Sequence, residues 1–242
     1  MDETVIEMAD NTINEEMYER TINESIRETE GIMIVRNIND YKIIGEAGVF
    51  GGEADIYEAE KDGKKYIVKI YRKGMKPKEE ILERIVKISR ENQNSFVVID
   101  QYGFNDDIQK YYEIMEKAEF GNLDEYLDGN SVNENIVREI IGQLAAALEI
   151  LHKNGILHLD LKPANILVCE NDPLRIVLSD FGISSIIESE FSKRMTSIKG
   201  TELYWSPEAS AGVVGKESDY WSLGIIIIRL LCGTTPFDGM EK

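Results

Sequence analysis

Only two cysteines occur in the 242 residues, Cys169 and Cys232, and neither forms a CxxC pair or stands beside a histidine cluster. This excludes a disulfide framework and a Cys/His zinc module, and it fits a reducing, cytoplasmic compartment. Basic residues are also scarce, with 27 Lys and Arg against 45 Asp and Glu, a formal charge of −18. Such an excess repels phosphate backbones, so nucleic acid is not expected as a partner. A basic partner is compatible with it, as is a merely solubilising surface. A long apolar run is missing too. The most apolar stretch, WSLGIIIIRLLCG at 221–233, is interrupted by Arg229 and falls short of the roughly 20 residues a bilayer span needs. It reads as a buried core helix, and no membrane association is expected. The opening MDETVIEMADN has neither a basic start nor an apolar run, so it does not read as a secretion signal.

With 43% hydrophobic and 30% charged residues, the composition is that of a globular protein long enough for one large domain or two lobes. Residues 1–38 form an acidic, Asn-rich extension in which TINE occurs twice, too little for a repeat architecture. Ile13, Met17, Ile22 and Ile26 are spaced nearly as on a helix, which suits a short packed helix or a partly disordered arm. From Tyr41 the stretches YKIIG, ADIYEAE, KKYIVKIYR, FVVIDQYGF and KYYEIME read as strands, with a hairpin signal at Asp62-Gly63. One helix is expected among them, over 76–89 with Pro77 near its start. After residue 120 the pattern inverts. A long amphipathic helix over 133–155, closed by Gly155, precedes short strands, a polar segment and the apolar helix at 218–232. A β-rich part followed by a helical part predicts an α+β, bilobal fold with a cleft, divided as 39–117 and 118–242.

The chemistry concentrates in HLDLKPANIL at 158–167. Asp160, Lys162 and Asn165 put a base, a cation and a neutral oxygen ligand in one short loop, a set suited to phosphoryl transfer. On that decapeptide alone, a turn with a capping Asp and a solvated Lys explains the residues equally well. LSDFG at 178–182 breaks the tie. Asp180 adds a second hard oxygen donor, and Gly182 permits a sharp change of direction. Upstream, Lys69 sits mid-strand in YIVKIY, between a glycine-rich hairpin and an acid-bearing helix.

Together VFGGEADIY, YIVKI, YEIMEKA, HLDLKPAN, DFG, GTELYWSPE and SDYWSLG closely resemble the eukaryotic-type Ser/Thr protein kinase family, from about Tyr41 to Phe237. The resemblance implies an enzyme that uses ATP and Mg²⁺ to phosphorylate protein substrates. Asp160 would be the catalytic base and Lys162 would touch the γ-phosphate. Asn165 and Asp180 would hold the metal, and Lys69 would bind the α/β-phosphates while paired with a helix glutamate. Glu83 fits that glutamate best, with Glu79 and Glu80 within one turn. Met115 would be the gatekeeper, Glu116 and Ala118 would offer backbone to adenine, and Gly51 and Gly52 would cradle phosphate. His158 would pack beneath Phe181, and Asp219 would bind backbone amides of the catalytic loop. Lys162 and Thr201 imply Ser/Thr rather than Tyr as acceptor, and GTELYWSPE and SDYWSLG argue against a small-molecule kinase.

Four departures stand out against the family. Leu159 replaces the usual arginine that clamps a phosphorylated segment, so activity is expected not to depend on phosphate at Ser192, Thr196 or Ser197. The glycine loop is irregular, and Ile67 stands where alanine is preferred in the adenine pocket. The sequence also stops soon after GTTPFDGMEK. Glu208 is then either solvated or paired by another chain that completes the C-terminal lobe, or the chain is a fragment. These departures keep open a second reading, a catalytically weak, kinase-like scaffold.

Overall fold

Period-two alternation builds the first half. The computed structural model describes residues 26–29, 32–35, 37–48, 54–128, 132–187, 193–194 and 202–238, in two compact units: residues 1–76 with 100–116, and 77–99 with 117–242. In the first unit, β1 (Ile26–Thr29) and β2 (Ile32–Val35) form an antiparallel hairpin. Ile26 therefore lies in a strand and not on the helix its spacing suggests. Cross-strand pairing with Val35 satisfies its backbone where i,i+4 bonds would otherwise have to.

A six-stranded sheet follows. Its strands are β3 (Asn37–Ile38), β4 (Tyr41–Gly48), β5 (Ala54–Lys61), β6 (Lys64–Tyr71), β7 (Ile99–Asn105) and β8 (Lys110–Glu116), in the order β3-β4-β5-β6-β8-β7. Asp62 and Gly63 take positive φ, 51° and 74°, in the tight β5–β6 turn that the Asp-Gly pair signals. Tyr66, Val68 and Ile70 of β6 project into a core with Ile38, Tyr41, Ala59, Tyr112 and Ile114. Ile67 and Lys69 consequently project from the other face.

The second unit opens with α1 (Glu79–Glu91), which buries Ile81, Leu82, Ile85, Val86, Ile88 and Ser89 on one stripe. It starts three residues later than the sequence suggests, because Pro77 and the extended Lys78 precede the first helical turn. Phe96 and Val97, expected at the head of a strand, leave the six-stranded sheet. Val97 N–H donates to Leu178 O at 2.9 Å, Leu178 N–H donates to Ser95 O at 2.9 Å, and Phe96 packs on Phe181.

Next come α2 (Leu123–Leu127), with Asn122 and Glu125 capping each other's amides, and α3 (Glu134–Lys153), started by Asn133. Val137, Ile140, Leu144, Ala147, Leu148 and Leu151 bury one face of α3. Gly155 closes it at φ 68°, and a Cβ there would lie 2.9 Å from Ile187 O. The β9 (Ile156–Leu157), β10 (Ile166–Asn171), β11 (Leu174–Leu178), β12 (Ser185–Ile186), β13 (Lys193–Arg194) and β14 (Val213–Val214) pieces form two-stranded ladders β10-β11, β9-β12 and β13-β14. The side-chain amide of Gln143 on α3 binds Leu174 O and Ile176 N–H, fastening β11 to the helix. The short α4 (Pro207–Ser210) and the apolar α5 (Lys216–Cys232) complete the unit.

Candidate active site

The loop from His158 to Asn165 draws three of the expected polar groups together. Lys162 Nζ lies 2.9 Å from Asp160 Oδ2. Asn165 Nδ2 donates to the same oxygen at 2.9 Å and to Asp160 O at 2.8 Å. With both amide hydrogens turned toward Asp160, Asn165 is left to present its Oδ1 as an oxygen donor. The Asp160 side chain is only 12% exposed, so these donors hold a carboxylate in a partly dehydrated place where a reacting hydroxyl could still reach it.

Asp219 frames this loop from the first turn of α5. It is 0% exposed, and its Oδ1 accepts from Leu159 N–H at 2.8 Å while Oδ2 accepts from His158 N–H at 2.9 Å. His152 Nε2 adds a third contact to Oδ2 at 2.8 Å. Three donors offset the cost of burying this charge, and they hold Leu159 at φ 66°, a left-handed conformation unusual for a branched side chain. Asp160 N–H donates to His158 Nδ1 at 3.3 Å, so the His158 hydrogen resides on Nε2 and points to Ser179 O at 3.1 Å. His158 thus packs against Phe181 and bridges, with both ring nitrogens engaged. Leu159 lies buried in an apolar cluster with Leu157, Ile187, Ala209 and Val214.

Asp180 is tied to the same loop through its neighbour Ser179. Ser179 N–H and Oγ both donate to Asn165 O at 3.0 Å. Asp180 follows at φ 57°, exposed, with Gly182 N–H donating to its Oδ1 at 3.4 Å. Phe181 packs against His158 with ring centroids 5.2 Å apart. Asn165 and Asp180 therefore supply amide and carboxylate oxygens, the hard donors Mg²⁺ takes, and the residues fit that ion. Among the described residues no cluster of three or more His, Cys, Asp or Glu forms.

The remaining expected residues divide between the two units. Lys69 is half-buried on β6, opposite Ile56 of β5 and Glu113 of β8. Glu113 is 8% exposed and accepts from the Tyr71 hydroxyl. Sequence reasoning overlooked it, because only the β6–β8 register shows that it faces Lys69. Met115 stands directly across from Ile67, Glu116 ends β8, and Ala118 is buried at the head of the second unit. Glu79, Glu80 and Glu83 are all exposed on α1, and Glu80 binds Arg84 at 2.9 Å. Gly51, Gly52, Ser192, Thr196, Ser197 and Thr201 lie outside the described residues. Glu208 is exposed in this chain.

Downstream, Tyr204 O accepts from Ser222 Oγ at 2.7 Å, and Arg229 joins Asp124 at 2.6 Å beside the Tyr204 ring. Burial pushes the Tyr204 hydroxyl up to about 12, against the opposing pull of Arg229.

Known proteins resemble this chain in sequence and in fold. The protein kinase domain model matches residues 38–242. Calcium/calmodulin-dependent protein kinase type 1 of Caenorhabditis elegans is 35% identical over 210 residues, covering 84% of this chain and 58% of that protein. Serine/threonine-protein kinase PrkC of Bacillus subtilis is 33% identical over 197 residues, covering 78% of this chain and 30% of that protein. A crystal structure of Rad53 1-466 in complex with AMP-PNP superposes with a TM-score of 0.67 at 28% identity, covering 84% of this chain and 51% of that one. The chain spans about half or less of the length of these relatives. By its matched residues and its fold, it belongs to the protein kinase family.

Proposed function

We propose that this chain is an ATP- and Mg²⁺-dependent kinase that phosphorylates Ser and Thr of protein substrates, itself among them. The observation that carries the reading is the Asp160 carboxylate held by Lys162 and Asn165, with Asn165 clasped in turn by the residue before Asp180. Asp160 orients the acceptor hydroxyl and takes its proton. Lys162 places positive charge beside the moving phosphoryl group, and Asn165 and Asp180 hold Mg²⁺. When bound, that ion neutralises charge on the nucleotide phosphates. Lys69 receives the α/β-phosphates with Glu83 as its helix partner, and Glu113 is a second carboxylate on the face of the sheet that carries Lys69. Met115, Glu116 and Ala118 line the adenine site, and Gly51 and Gly52 cover the phosphates. Asp219 and His158 are positioning residues.

One exposed face bears on partners. Trp221, Ile228 and Leu231 lie exposed along α5, where a further segment or a second chain completing the lobe would sit. No helix among the described residues is long and apolar enough to cross a membrane, and the two free cysteines suit the cytoplasm. Ile67 opposite Met115 favours the second reading, a weakly active scaffold, since the larger side chain crowds the expected adenine site. Calorimetric titration with AMP-PNP separates the two. The kinase reading expects Mg²⁺-dependent binding that weakens tenfold or more in Asp180→Ala; absence of binding in Mg²⁺ would sink it.

A further inference from the structure

Lys78 stands at the N-cap of α1 yet makes no capping bond within its own helix. Its ammonium reaches instead to two consecutive carbonyls beyond Asp180, Ser184 O at 2.8 Å and Ile183 O at 3.2 Å. Ser184 is fully buried, and its other polar groups are also engaged. Its N–H donates to Phe181 O at 3.1 Å and its Oγ donates to His158 O at 3.1 Å. At the far end of α1, Ser95 and Val97 bind both backbone groups of Leu178. The stretch 178–184 is therefore pinned on both sides by the flanks of one helix. Between the pins, Asp180 adopts φ 57°, which persists at a non-glycine residue only where its surroundings fix it.

We infer that Lys78 is a positioning residue, a latch that holds residues 183–184 and through them keeps Asp180 in its metal-binding conformation without any phosphate. This rests on the kinase reading above and adds its regulation. The acceptors are backbone carbonyls, present in every state of the chain, so the latch needs no covalent modification to close. Two short bonds from one ammonium are charge-assisted, the stronger class of hydrogen bond. The buried, aliphatic Leu159 provides no competing cation-based clamp on its side of the loop.

Lys78→Met keeps an unbranched side chain one atom shorter and removes the charge, and Lys78→Arg keeps the charge. Hydrogen exchange over 181–184 reads the latch with no need for catalysis. In Lys78→Met the Ser184 amide is expected to exchange about tenfold faster or more, while amides in the middle of α3 are unchanged. The Mg²⁺ concentration for half-maximal AMP-PNP binding is expected to rise several-fold, a change that a merely structural lysine would not produce, and Lys78→Arg is expected to recover most of both effects. Unchanged exchange at 181–184 in Lys78→Met overturns the latch. Faster exchange with an unaltered Mg²⁺ requirement overturns its positioning role. If the wild type binds no nucleotide, the kinase reading falls and the exchange data still decide whether the latch exists.

Discussion

Asp219 shows how a single side chain can carry the geometry of a site it does not enter. Its carboxylate is 0% exposed and receives three donors, two of them amides of the loop ahead of Asp160. Asp219→Ala leaves those donors orphaned and is expected to lower stability by about 3–5 kcal/mol in urea unfolding, with turnover lost alongside. Tyr204 gives a signature at high pH. Its hydroxyl is raised from 10 to about 12 by burial, so the unfolded chain ionises first. Its contribution is fully present below pH 10 and is lost as pH climbs toward 12. Tyr204→Phe is therefore expected to show a smaller fall in melting temperature across that window. The clustering of Asp160, Lys162 and Asn165 was legible in the sequence, because the three stand within one short loop. Glu113, His152 and Lys78 were not. Each meets its partner across 44 to 106 residues, through a register or a helix end that no local pattern encodes.

Helices and strands repeat that division between local and distant causes. The long amphipathic α3, the apolar α5 and the Asp-Gly hairpin carry strong periodic or turn signals and form where expected. Phe96 and Val97 have the composition of a strand, yet their backbone is claimed by Leu178, a competition decided by tertiary contacts. The same holds for Ile26, which pairs with Val35 in a hairpin. Gly155 is where an element depends on one residue: φ is 68°, and an added Cβ would press on Ile187 O at 2.9 Å. Gly155→Ala is expected to cost about 1–3 kcal/mol in chemical unfolding, combining left-handed strain with that close approach. No measurable change would mean that the end of α3 relaxes freely.

Across the whole molecule, family membership rests on a match over residues 38–242 together with the shared fold, while the departures mark what is particular to this chain. Leu159 sits in an apolar cluster, and Lys78 grips backbone oxygens; both imply a site organised without a phosphorylated segment. Replacing Ser192, Thr196 and Ser197 together with Ala is accordingly expected to leave peptide phosphorylation within about threefold of wild type, a change below 1 kcal/mol in barrier height. Abolished activity restored by acidic replacements would contradict it. The net charge of −18 is compatible with a basic partner as well as with a solubilising surface; if it steers substrate, added salt raises KM for a basic peptide more than it changes kcat.

The central claim is that Asp160 accepts the proton of a Ser or Thr hydroxyl while Asn165 and Asp180 hold Mg²⁺. Mass-spectrometric mapping of phosphosites after incubation with Mg-ATP, wild type beside Asp160→Ala, tests it most directly. The account predicts phosphoserine and phosphothreonine in the wild type and none in the variant. Equal phosphorylation in both, or none in a folded, nucleotide-binding wild type, would contradict it.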